Sequence, residues 1–208
     1  MSELVTLESL IEAAGDDGIE LGKRKGEFKS PFELGTAYPI ELTEVAITTT
    51  KNGYTQAELK VGIVKSDGEV KAAGKVWVTL PVFSEEKQAV EDPEKIKQLR
   101  GIFGEKLHDL LRAVDPAMYS VFSRAEKVGK TWHFYDAEGN EISSQAKVQR
   151  EKLMGKAVIG AAQLLASGKL DLSGKRLFYV RTQDKNKADK FYDNWYSVQP
   201  DKFPLAEG

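Results

Sequence analysis

Residues 38–83 read YPIELTEVAITTTKNGYTQAELKVGIVKSDGEVKAAGKVWVTLPVF. The texture is that of strands. Ile40, Leu42, Val45 and Ile47 alternate imperfectly, with a register break near Glu44. Asn52-Gly53 is a strong hairpin signal, because tight hairpin turns need a residue that tolerates positive φ. The return strand carries Leu59, Val61 and Ile63 on one face, and Ser66-Asp67-Gly68 makes a second turn. In the third strand Val76 and Val78 alternate with Trp77 and Thr79, so Trp77 faces away from the main core or packs under a helix. The stretch predicts a three-stranded antiparallel meander.

The flanking segments follow. Residues 4–14 place Leu4, Leu7, Leu10, Ile11 and Ala14 at helical spacing, with Thr6 or Ser2 as caps and Gly15 as the stop. This N-terminal stretch is acidic, and a basic connector with Lys23, Arg24, Lys25 and Lys29 follows it. Residues 92–113 predict a helix with Asp92 as cap and Pro93 in its first turn. Its apolar stripe runs through Ile96, Leu99, Ile102, Phe103, Leu107, Leu110 and Leu111, and Asp115-Pro116 ends it. KTWHFYDAEGNEISS (130–144) reads as a hairpin turning at Glu138-Gly139-Asn140. Residues 145–167 read as another helix, on Leu153, Val158, Ile159, Ala162, Leu164 and Leu165. Two strands joined by a polar turn near Asp184–Asp189 close the chain.

Strands interrupted by helices without regular β–α alternation argue against a parallel doubly wound sheet. The expected fold is α+β, an antiparallel OB-like β-barrel or curved sheet with peripheral helices. Residues 1–34 form an acidic helix and basic connector, and 35–208 one OB-like domain.

The chain has 208 residues, 41% hydrophobic and 30% charged, an ordinary globular composition able to bury a core. Net charge is −2, so a nucleic-acid role has to come from local patches. With no cysteine, disulfides, thiolate metal sites and cysteine nucleophiles are excluded. His108 and His133 are the only histidines, too few for a histidine-rich metal site. No apolar run approaches the roughly 20 residues that span a bilayer, and the acidic N-terminus does not read as a secretory signal. The expected location is the cytoplasm, the host's if the protein is viral.

The closing segment 175–202 holds Lys175, Arg176, Arg181, Lys185, Lys187, Lys190 and Lys202, interleaved with Phe178, Tyr179, Phe191, Tyr192, Trp195 and Tyr196. Cations that track phosphates and aromatic faces that stack on unpaired bases are what single-stranded nucleic acid binding requires. A hairpin of core aromatics with solvated lysines gives the same composition, and Asp184, Asp189, Asp193 and Asp201 dilute the charge. Periodicity separates Phe178 and Val180 from Tyr179 and Arg181, while Tyr192 and Tyr196 share a face. Tyr179 and Arg181 are taken as the binding face; a one-residue change of register exchanges the faces, and Phe178 is core only if that face is the one that packs. Trp132 in Lys130–Tyr135, and Lys75 beside Trp77, are further contacts. The expected nucleic-acid-binding set is therefore Lys75, Trp77, Trp132, Tyr179, Arg181, Lys185, Lys187, Lys190, Tyr192, Trp195 and Tyr196.

Catalytic patterns are weak. Glu58-Leu59-Lys60, with Glu41 or Glu44 upstream, has the parts of a nuclease metal pair, but alternating charge on an exposed strand gives the same pattern. Glu85, Glu86, Glu91 and Asp92 read as a solvated loop and helix cap. Gly101 and Gly104 form no phosphate loop, and the chain has no G-x-S-x-G element. No catalytic, metal or cofactor residue is assigned, and the protein is not expected to be an enzyme.

The stretch Gly35–Val114 resembles the phage-encoded OB-fold single-stranded DNA-binding proteins. GTAYPIEL, TTKNGYTQAELKV, KVWVTL and IFGEKLHDLL carry the likeness. GKRLFYVRTQ and FYDNWYSVQP look like that family's closing strands. The resemblance implies a non-enzymatic protein that coats single strands in phage DNA replication or recombination, with replication or recombination proteins as further partners. Many such proteins end in an acidic tail with a hydrophobic tip, whereas this sequence ends DKFPLAEG. The alternative is a structural or protein-interaction module, such as a virion component or adaptor, in which the aromatic hairpin packs on protein.

Overall fold

The meander forms as β1 (Ala37–Thr49), β2 (Thr55–Val64) and β3 (Val70–Thr79), all antiparallel. The structure, a computed structural model, describes residues 30–120, 122–187 and 190–206. The expected helix at 4–14 and the connector cations Lys23, Arg24, Lys25 and Lys29 lie outside the described residues.

The first turn is a three-residue loop, Lys51-Asn52-Gly53. Thr50 donates to the Tyr54 carbonyl at 2.9 Å, and Gly53 has φ 76°. A left-handed residue after a tight turn matches the twist of the flanking strands, and glycine takes it without steric cost. The register of β1 on β2 shifts between Leu42 and Glu44, leaving Thr43 as the bulged residue at the expected break. A second shift occurs on β3, where Gly62 faces Ala72 but Val61 faces Gly74, so Ala73 is the extra residue.

Ser84 caps a short helix, α1 (Glu85–Val90), where the sequence read as a loop. α2 (Pro93–Val114) follows, with the Asp92 carboxylate accepting from the Glu94 amide and Pro93 in the first turn. Its buried residues are Ile96, Leu107, Leu110, Leu111 and Ala113, whereas Ile102 lies exposed beyond the stripe. Phe103 stacks on Phe83 and meets Tyr54 edge-on, tying α2 to the first turn.

The next hairpin is shifted from the expected one. β4 (Arg124–Val128) pairs with β5 (Thr131–Tyr135) around Gly129-Lys130, where Gly129 has φ 63°. Glu138-Gly139-Asn140 does turn the chain, but only one bridge, Tyr135 to Glu141, follows it. α3 (Ser144–Ala166) is capped by Ser143 and buries Val158, Ala161, Ala162 and Leu165. β6 (Arg176–Gln183) and β7 (Phe191–Tyr196) close the chain.

The main sheet has the order β3-β2-β1-β6-β7, and every pair in it is antiparallel. One face carries Ile40, Leu42, Leu59, Val61, Val76, Leu177, Tyr179 and Trp195 into the core, against Leu107, Leu110 and Leu111 of α2 and Val158 and Leu165 of α3. The fold is thus α+β with a five-stranded antiparallel sheet and helices on one face. No closed barrel forms among the described residues, because β3 and β7 remain edges. The chain before β1 lies across that opening. Phe32 is buried, with its ring 4.6 Å from Tyr179 and 5.1 Å from Tyr38. Pro31 rests on Gly74, where an added Cβ would come within 3.5 Å of its Cγ.

Candidate nucleic-acid interface

Core-facing Val76 and Val78 oblige Lys75 and Trp77 to point to the other face of β3. Trp77 is 44% exposed. Glu58 lies directly across the strand pair from Trp77 and serves both residues. Its Oε1 is 2.6 Å from the Lys75 ammonium, and its Oε2 accepts from the Trp77 indole N–H at 3.2 Å. The Lys75 hydrogen bond, more than any other contact, holds the Glu58 carboxyl below the usual range. Lys60 sits opposite Lys75 and is paired with Glu44 at 2.6 Å, which raises the affinity of its amine for the proton. Farther along, Glu41 pairs with Arg176 at 2.8 Å. The carboxylates of the nuclease-like pattern are therefore each engaged by a cation.

A cleft of about 520 Å³ opens where β3 comes near β6 and β7. Lys75 and Trp77 line one side, Tyr179, Arg181 and Asp193 another, and Pro31 and Phe32 a third. Strands a hundred residues apart in sequence thus contribute to one recess. Arg181 places its guanidinium 4.6 Å from the Phe191 ring centre, a cation–π contact that presents the cation beside an aromatic face.

Tyr179 corrects the expectation. Its ring is 2% exposed, and its hydroxyl donates to Asp193 Oδ1 at 2.5 Å. Although Tyr179 lines the cleft, so little of its surface is open that the ring cannot stack on a base. Trp195 is likewise core, 6% exposed and 5.0 Å from Tyr179 between ring centres. Phe178 occupies the opposite face and is half-buried. Alternation separates the two faces of β6, and the helices cover the one that carries Tyr179.

The β6–β7 loop bears the remaining cations. Lys185, Lys187 and Lys190 are exposed. Lys190 lies 5.1 Å over the Tyr192 ring, and the Tyr192 hydroxyl donates to Asp184 at 2.7 Å. Backbone donation from Asn186, then the Tyr192 hydroxyl, holds the Asp184 carboxyl below its ordinary value. Tyr196 shares the Tyr192 face but lines a different recess with Arg112 and Val198. Trp132, 55% exposed, belongs to a separate cleft of about 580 Å³ between β5 and the start of α3. There His133 meets Glu141 at 2.6 Å, and Lys147 lies 4.4 Å over Phe134. His108, by contrast, donates from Nε2 to the Tyr119 carbonyl at 2.8 Å and ties α2 to the chain that follows it.

Of the eleven expected residues, Lys75, Trp77, Tyr179 and Arg181 meet in one cleft, with the lysine loop continuing from β6. Trp132 and Tyr196 lie in other recesses, and Trp195 is core. The sequence reading missed Glu58 as partner of Trp77 and Asp193 as partner of Tyr179. Counting back from Ser66-Asp67-Gly68 brings Glu58 opposite Val76, and only the bulge at Ala73 moves it onto Trp77. No family model matches the chain, and no curated protein shows significant similarity to it.

Proposed function

We propose that this protein binds single-stranded DNA along the cleft between β3 and the β6–β7 hairpin, as a non-catalytic OB-like module of phage DNA replication or recombination. The observation that carries the reading is the convergence of an exposed indole, Trp77, with Arg181 at one cleft that leads to the loop bearing Lys185, Lys187 and Lys190. Unpaired bases need a flat apolar face, and their phosphates need cations at its rim. The chain order supports the OB-like part of the reading. The meander and the closing pair, with β1 between β2 and β6, follow the order of an OB-fold left open between its third and last strands, with three helices and the β4–β5 hairpin inserted between them. In OB-folds the outer face of strands two and three, with the first and last hairpin loops, takes up oligonucleotides. Here that region corresponds to Trp77 and Lys75, Lys51–Gly53 and the lysine loop.

Titration of tryptophan fluorescence with oligo-dT at two salt concentrations tests this. Salt-sensitive quenching is expected, with a log–log slope on the order of −2 to −4 for about three to six phosphate contacts at roughly −0.7 each. Trp77→Ala and Arg181→Ala should both weaken binding. No binding at either salt concentration would refute the reading.

One observation favours the rival, a protein-interaction module. Leu153 is 65% and Leu164 46% exposed on α3, an apolar stripe three turns long. Under that reading oligo-dT leaves the tryptophans silent, while Leu153→Lys abolishes association with a protein.

A further inference from the structure

We infer that Glu58 is a specificity-determining positioning residue that makes the cleft depend on unpaired bases rather than on phosphate charge; this rests on the proposed binding of single-stranded DNA. Its two oxygens do different work. One is 2.6 Å from the Lys75 ammonium, the cation nearest the indole on β3, and cancels its charge. The other holds the Trp77 indole N–H at 3.2 Å, which fixes the edge of the ring and leaves its faces to the ligand. Directly opposite register keeps Glu58 beneath Trp77, and its side chain is only 17% exposed against 46% for Lys75.

A phosphate that reaches Lys75 must therefore displace a carboxylate already in place, and little is gained by the exchange. A base that reaches Trp77 meets a ring already oriented, so less conformational freedom is lost on stacking. Lys60, opposite Lys75, is neutralised by Glu44 in the same way. The outer face of β2 and β3 is thus a lattice of satisfied ion pairs with one exposed aromatic. A polyanion without accessible bases, such as duplex DNA or an abasic strand, gains almost nothing there.

Glu58→Gln separates the two roles, because the amide oxygen still accepts from the indole while the charge on Lys75 is released. Three ligands are titrated against wild type and variant, namely oligo-dT, an abasic oligonucleotide of the same length and a DNA duplex. The expected result is a gain of about two- to fivefold for the abasic strand and the duplex, the range of one exposed ion pair. The salt slope for each should steepen by roughly 0.7 to 0.9. Glu58→Ala, which also frees the indole, should lose affinity for oligo-dT relative to Glu58→Gln. Lys75→Met in the Glu58→Gln background should return abasic binding to the wild-type level. If wild type binds oligo-dT but Glu58→Gln leaves the ligand preference and slopes unchanged, the role of Glu58 is refuted and the binding function stands. If wild type binds no oligo-dT, both fall. Circular dichroism melts of each variant show whether the fold is intact, and a variant that melts early is replaced by Glu58→Asp, which must show the preference of wild type.

Discussion

The Tyr179 hydroxyl donates to the Asp193 carboxylate at 2.5 Å, from a ring only 2% exposed, so one tyrosine joins the hydrophobic core to the edge of the candidate cleft. Burial first, and then the neighbouring Asp193 charge, push the phenol far above its ordinary value. Below pH of about 10 the folded and unfolded chains both keep the proton, and the group does not influence stability through pH. Above it the unfolded chain ionises while the folded chain does not, so stability falls as pH rises. Tyr179→Phe should flatten part of that alkaline loss, as read from urea melts between about pH 8 and 11, a range that brackets the free phenol near 10. An unchanged slope would show that the phenol ionises freely in the folded chain.

The two aromatic neighbours on β6 should differ in cost. Tyr179→Ala empties a site packed against Phe32 and Trp195 and should cost about 3–5 kcal/mol. Phe178→Ala removes a half-buried ring from the outer face and should cost about 1–2 kcal/mol, from the smaller apolar area it covers. Chemical denaturation of both variants checks the order, and a larger loss for Phe178 would reverse the assigned faces.

The tryptophans should separate by solvent access. Trp77 and Trp132 are 44% and 55% exposed, and Trp195 is 6% exposed. In a Trp77→Phe, Trp132→Phe double variant the remaining emission should be blue-shifted and resist acrylamide. Ready quenching would mean that the β7 ring is not core.

Two glycines should respond to alanine with opposite signs. A Cβ on Gly62 would stand 2.4 Å from Val70 Cγ1 and 3.2 Å from the Lys71 carbonyl oxygen. Gly62→Ala should therefore cost about 1–3 kcal/mol through overpacking next to the β3 bulge. Gly101, inside α2, has open space around its Cβ position, and Gly101→Ala should add roughly 0.5–1 kcal/mol of stability. Thermal melts of the pair test both signs.

The local elements were legible in the sequence because local chemistry specifies them. Asn52-Gly53 marks the first turn, the misplaced alternation near Glu44 marks the bulge at Thr43, and Asp92-Pro93 starts α2 where the structure has it. Val76 and Val78 also predict that Trp77 points away from the core, since a strand with two valines on one side has a determined inside. The hairpin at β4 and β5 was misplaced because Gly129-Lys130 is a weaker turn signal than Glu138-Gly139-Asn140, although both turn. β6 offered no such clue. Phe178 and Val180 are as apolar as Leu177 and Tyr179, and a period of two is symmetric under exchange of faces. The choice was made by α2 and α3, whose apolar stripes cover the Leu177–Tyr179 side and take Trp195 with it. Long-range packing likewise decided that the sheet stays open, with Phe32 lodged against Tyr179, and that an extra residue at Ala73 carries Glu58 beneath Trp77. Sequence pattern alone determined the meander of β1 to β3, the start of α2, and the presence of α3 and the closing strand pair. Which aromatics are core and which reach the cleft depended on contacts between segments far apart in the chain, and no local periodicity encodes those.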